Sequence, residues 1–99
     1  MQTEYLIAVD EFCTQHNIEA SFISSLQQNG LIEISTIRET RYIDPEQLKQ
    51  LEMFIHFFYE LDINLEGIET INHLLLKIYY LQDEITTLRN KLRLYESEL

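Results

Sequence analysis

Cys13 and His16 stand three residues apart, a spacing that brings a thiol and an imidazole onto one face of a helix. Such a pair could act as a nucleophile and its base. The neighbours argue otherwise. Val9, Phe12 and Cys13 together form an apolar stripe at helical spacing, and a cysteine in that setting behaves as a small hydrophobe. His56 and His73 are isolated, without the HxxxH or HxxE spacing that would recruit a metal. The chain has no CxxC, no GxSxG and only two glycines, too few for a phosphate cradle. Catalysis, metal binding and cofactor binding are therefore not expected.

Charge points to a binding protein instead. The 99 residues carry 17 acidic and 7 basic side chains, a net charge of −10. Nucleic-acid binding draws much of its affinity from Lys and Arg on phosphates, so the charge argues against DNA as a ligand and against an anionic membrane surface. Residues 1–37 hold Glu4, Asp10, Glu11, Glu19 and Glu33 and no Lys or Arg. Residues 44–76 hold seven acids against Lys49 alone. Such an excess is commonly a solvated face. Its functional reading is a dock for a basic partner, steered by complementary potentials. On that charge argument the partner-binding residues are Glu52, Glu60, Asp62, Glu66 and Glu69.

The elements that would position these residues follow from periodicity and breakers. A composition of 45% hydrophobic and 24% charged residues fits one globular domain. Tyr5–Ala8 reads either as a lead-in strand or as the packed edge of the first helix. That helix presents Val9, Phe12, Cys13 and His16 and ends at the turn residue Asn17. A second runs from about Glu19 to Gln28, with Phe22, Ile23 and Leu26 inward, and stops at Asn29-Gly30. Two short helices and a tight turn make a helix-turn-helix. Leu31–Ile43 reads as a two-stranded wing, broken by Arg38-Glu39-Thr40-Arg41. Asp44-Pro45-Glu46-Gln47 starts a third helix, with Asp44 as cap and Gln47 placed to reach back to it. This helix should continue to about Leu61, burying Leu48, Leu51, Phe54, Ile55, Phe57, Phe58 and Leu61. Asp62-Ile63-Asn64 then interrupts it.

From residue 64 onward the pattern changes to a heptad. Ile71, Ile78, Ile85, Leu92 and Leu99 recur every seven residues, and Leu74, Leu81, Leu88 and Tyr95 follow offset by three. That is a coiled-coil seam. It predicts a homodimer through Ile71, Leu74, Ile78, Leu81, Ile85, Leu88 and Leu92, with charge pattern leaving parallel and antiparallel pairing both open. The division expected is 1–63 for the winged region with its core helix and 64–99 for the dimerisation helix. The lone Cys13 excludes an intrachain disulfide, and no basic leader or long apolar run marks export or a membrane span, so a cytoplasmic protein is expected.

Three stretches resemble the MerR winged-helix group, in order: Gly30-Leu31-Ile32, Arg41-Tyr42-Ile43-Asp44, and Leu61 to Ile68. The fold this implies is mainly α: a MerR-like winged helix-turn-helix with a small β wing and a long C-terminal coiled-coil helix. The departure lies in the second helix. Regulators of that group carry an Arg-Tyr-Tyr-Glu run there, where this chain has Ser24-Ser25-Leu26-Gln27. The chain looks more like the CbpM family of chaperone modulators, through Glu11-Phe12-Cys13, Asn29-Gly30, Glu39-Thr40, Glu60-Leu61, Gly67-Ile68 and Leu88–Leu92. That resemblance covers roughly residues 4–95. It implies a protein that binds the J-domain of a DnaJ/CbpA-like co-chaperone and inhibits its work with a DnaK-type chaperone. The J-domain surface involved is basic, which suits an acidic modulator. A MerR-like DNA-binding transcriptional regulator is the alternative.

Overall fold

A computed structural model describes residues 5–97. Glu4 and Leu99, named above, lie outside them. The chain divides into two compact units, the first running to Glu69 and the second starting at Thr70.

The first unit opens with a two-residue strand, β1 (Ile7–Ala8), which leads directly into α1 (Val9–His16). α1 buries Val9, Phe12 and Cys13 and carries Asp10 and Glu11 in its first turn, where negative charge suits the helix dipole. Asn17 ends it at φ 55°, and the Asn17 N–H closes the turn on backbone carbonyls of Cys13 and Thr14. α2 (Ala20–Gln28) follows, with Phe22, Ile23 and Leu26 buried. Gly30 at φ 73° then takes a left-handed conformation that costs glycine nothing.

The wing consists of β2 (Ile34–Ile37) and β3 (Thr40–Ile43), paired antiparallel from Ile34↔Ile43 to Ile37↔Thr40. Its loop is two residues long. Arg38 and Glu39 both have positive φ, 50° and 68°, as the tight turns that match strand twist require. The sequence predicts a two-stranded wing and leaves Tyr5–Ala8 open as a lead-in strand; Ile7–Ala8 is such a strand, and it makes the sheet three-stranded, in the order β1-β3-β2, by pairing with β3 through Ile7↔Ile43 and Ala8↔Tyr42.

Asp44 caps the next segment, its carboxylate accepting from the Glu46 N–H at 2.9 Å. Gln47 does not reach back to that cap. Its side chain instead bridges to Glu33, accepting from the backbone N–H at 2.6 Å and donating to the carbonyl at 2.7 Å. A short 3-10 turn (Pro45–Gln47) precedes α3 (Leu48–Ile55), which buries Leu51 and Phe54. The third helix does not run on as α-helix to Leu61. His56–Glu60 is a π-helical turn, and a π turn advances less per residue than an α turn. Leu61, expected in the core, is consequently 52% exposed. The core of this unit joins Val9, Phe12, Phe22, Ile23, Leu26, Ile43, Leu51 and Phe54 with Ile68 from the start of α4 (Leu65–Ser97).

The second unit is the rest of α4, one helix without a break. Its heptad positions Leu74, Ile78, Leu81, Ile85, Leu88 and Leu92 are between 46% and 62% exposed in the single chain, while Ile71 is half-buried.

Candidate partner-binding site

The five carboxylates singled out by charge all belong to the first unit, and all are exposed. Glu52 lies on α3. Glu60, eight residues on, ends the π turn that follows α3 and pairs with His56 Nδ1 at 2.7 Å. Asp62 follows at φ 55°, in the tight reversal that leads towards α4. Asn64 caps that helix through Oδ1, which accepts from the Gly67 N–H at 2.8 Å, and its Nδ2 donates to Glu66 at 3.4 Å. Glu66 and Glu69 stand three apart on the first turns of α4, neighbours on its surface.

The π turn also ties this acidic segment to α2. Phe58 lies against Phe22 with ring centroids 4.5 Å apart, and Tyr59 meets Phe22 edge-on at 5.4 Å. The Tyr59 hydroxyl accepts from the Glu19 N–H at 3.1 Å, satisfying a backbone donor at the start of α2 where no side chain of the helix itself does so. One aromatic cluster thus fixes both the helix that a DNA reader would use and the turn that carries Glu60 and Asp62.

The outward side of α2 bears Ser21, Gln27 and Gln28, with Ser24 and Ser25 half-buried, and the helix has no Lys or Arg. The nearby wing cation Arg41 is half-buried and donates to the Ser24 hydroxyl at 2.8 Å. A cavity of about 130 Å³ lies between α1 and the wing, lined by Ala8, Val9, Asp10, Glu39, Thr40 and Arg41. Sequence reasoning did not find it. Its one signal was the polar break Arg38–Arg41 in an otherwise apolar wing.

Cys13 is buried, and burial, with the Asp10 carboxylate adding to it, raises its thiol above the ordinary value, against a smaller opposing effect of Arg41. His16 turns to Phe12 and stacks on it at 4.1 Å. Among the described residues no group of three or more His, Cys, Asp or Glu could hold a metal ion. No helix there is long and apolar enough to cross a membrane.

These elements define a winged helix-turn-helix followed by a long C-terminal helix. The family model of the MerR HTH family regulatory proteins matches residues 7–90, and the chain belongs to that family. A search of curated proteins and a search of solved structures return no match.

Proposed function

We propose that this MerR-family chain regulates by binding a protein, and that its partner is the J-domain of a DnaJ/CbpA-like co-chaperone, whose action with a DnaK-type chaperone it inhibits. The observation that carries this reading is the outer side of α2. The second helix of a helix-turn-helix enters the DNA major groove, and here it offers serines and glutamines but no cation, while Arg41 beside it is already bonded to Ser24. A net charge of −10 favours a basic protein over a polyanion. The resemblance to CbpM supplies the J-domain. Glu52, Glu60, Asp62, Glu66 and Glu69 provide the attraction, and the protein acts as a homodimer in the cytoplasm, joined through Ile71, Leu74, Ile78, Leu81, Ile85, Leu88 and Leu92. The role requires neither cofactor nor reaction.

The test is retention: the purified protein is incubated with J-domain proteins and, separately, with genomic duplex DNA. Capture of a J-domain, with inhibition of J-domain-stimulated ATP hydrolysis by DnaK, is the expected result. Sequence-specific capture of DNA at physiological salt would replace this reading with a transcriptional regulator.

A further inference from the structure

We propose that Leu76, Tyr79 and Tyr80 form a second docking surface, on the side of α4 turned away from the heptad seam, and that it receives the basic face of a partner protein. This rests on the reading of the partner as a basic J-domain. The three residues are 56%, 54% and 61% exposed. They are spaced by three and four, so they make one continuous patch on the helix surface. The seam positions of the same stretch are Ile71, Leu74, Ile78 and Leu81, so the patch falls on outer heptad positions. A two-stranded pairing through the seam would cover the seam and leave this patch in water.

The patch is local. Between Leu74 and Leu81 the helix is apolar almost all round, interrupted only by Lys77. From Gln82 to Ser97 the off-seam positions are polar or charged, Leu94 excepted. A helix that is apolar all round is a buried one, so this stretch has a use for more than one neighbour. Contiguous exposed apolar patches mark interaction sites, and tyrosine is among the residues that carry binding energy at interface centres.

Charge chooses the occupant. Tyr80 donates its hydroxyl to Glu84 at 3.1 Å, which holds a carboxylate beside the ring. Asp83 lies four residues beyond Tyr79 and three beyond Tyr80, on the same side. Aromatic faces attract Lys and Arg, and the two carboxylates reinforce that preference. Lys77 stands on the flank next to the seam. A second copy laid on this patch would bring its own Asp83 and Glu84 towards these. A partner surface with Lys or Arg set among apolar side chains fits the patch without that repulsion.

The experiment uses the full chain. Leu76→Ser with Tyr79→Ser and Tyr80→Ser leaves every seam residue in place. Affinity for a J-domain that the wild type binds should fall by at least about tenfold, the scale of an interface hot spot, with helicity and sedimentation unchanged. Tyr79→Phe with Tyr80→Phe should retain binding, since the aromatic faces remain. Asp83→Lys with Glu84→Lys should slow association and weaken its salt dependence. Wild-type affinity in the triple serine variant would overturn this surface while leaving the J-domain reading intact. A changed assembly state in that variant would also overturn it, assigning the patch to contacts between copies. A wild type that binds no J-domain would remove both.

Discussion

Two residues, Asn64 and Gly67, set the start of α4. Asn64 caps the helix, and Gly67 leaves room for the cap. A Cβ at Gly67 would lie 2.7 Å from Ile63 Cγ2 and 3.1 Å from Asn64 Oδ1. Alanine is favoured over glycine in helices by about 1 kcal/mol, but crowding a packed site costs about 1–3 kcal/mol. The Ile63 methyl is held on a branched carbon and has little freedom to retreat. Gly67→Ala should therefore destabilise by roughly 1 kcal/mol net, and Asn64→Ala by about 1 kcal/mol through loss of the cap; urea midpoints measure both. Cys13 gives a pH prediction. Its thiol is raised from 9.0, chiefly by burial, so folding favours the protonated form. That contribution is whole below pH 9 and is lost as pH climbs from there through the raised value. Cys13→Ala should flatten the alkaline fall in stability, and a thiol reagent should modify wild-type Cys13 only as fast as the chain opens. At this scale the sequence was readable where a residue's type dictates its role, as with the Asp44 cap and Gly30. It misplaced Gln47, expected at the Asp44 cap, because its true partner Glu33 is chosen by tertiary placement of the wing.

Among the elements, the α-helical period identified Leu51 and Phe54 as buried and failed at Leu61. The failure has a physical cause. Phe58 and Tyr59 pack on Phe22, a residue far away in sequence, and that packing is accommodated by the π turn. Local periodicity cannot register such a contact. Likewise the sequence leaves β1 open between a strand and a helix edge, and its pairing with β3 decides for the strand. The five acidic site residues were readable as exposed, since each is a charged residue with no reason for burial. Their surroundings were not, because the π turn His56–Glu60 and the left-handed Asp62 leave no periodic signal. Reversing Glu60, Asp62 and Glu66 to Lys should slow J-domain association and flatten its salt dependence while the fold and assembly persist, because exposed charges act mainly on encounter. Unchanged kinetics in a folded triple variant would move the site to the helix-turn-helix face around Glu11, Glu19 and Gln27. The exposed seam of α4 makes its own prediction. Each Leu or Ile buried there contributes roughly 1.5–3 kcal/mol, so Ile85→Asp with Leu88→Asp should convert a dimer to a monomer in sedimentation equilibrium. A wild type that is monomeric at high concentration would refute the seam as an interface.

For the molecule as a whole, the charge of −10 governs which partners can approach. With seven Lys and Arg in the entire chain, three of them clustered at Arg89, Lys91 and Arg93 and none in α2, the phosphate contacts that give DNA binders their steep salt response are scarce. Titration against duplex DNA at rising salt should show only weak binding that disappears by physiological ionic strength. A nanomolar operator surviving there would restore a DNA-reading role. The three-stranded sheet has a further consequence, in the order of folding events. The β2–β3 hairpin closes over two residues, whereas Ile7↔Ile43 encloses the whole helix-turn-helix and nearly all of the wing. Closing a loop of that length costs roughly 3 kcal/mol of chain entropy, against a ladder of two residues. β1 is therefore a late and easily released clasp. Its amides should exchange with deuterium ahead of those in the hairpin, making the amino-terminal edge the first part of this unit to open and the last to close.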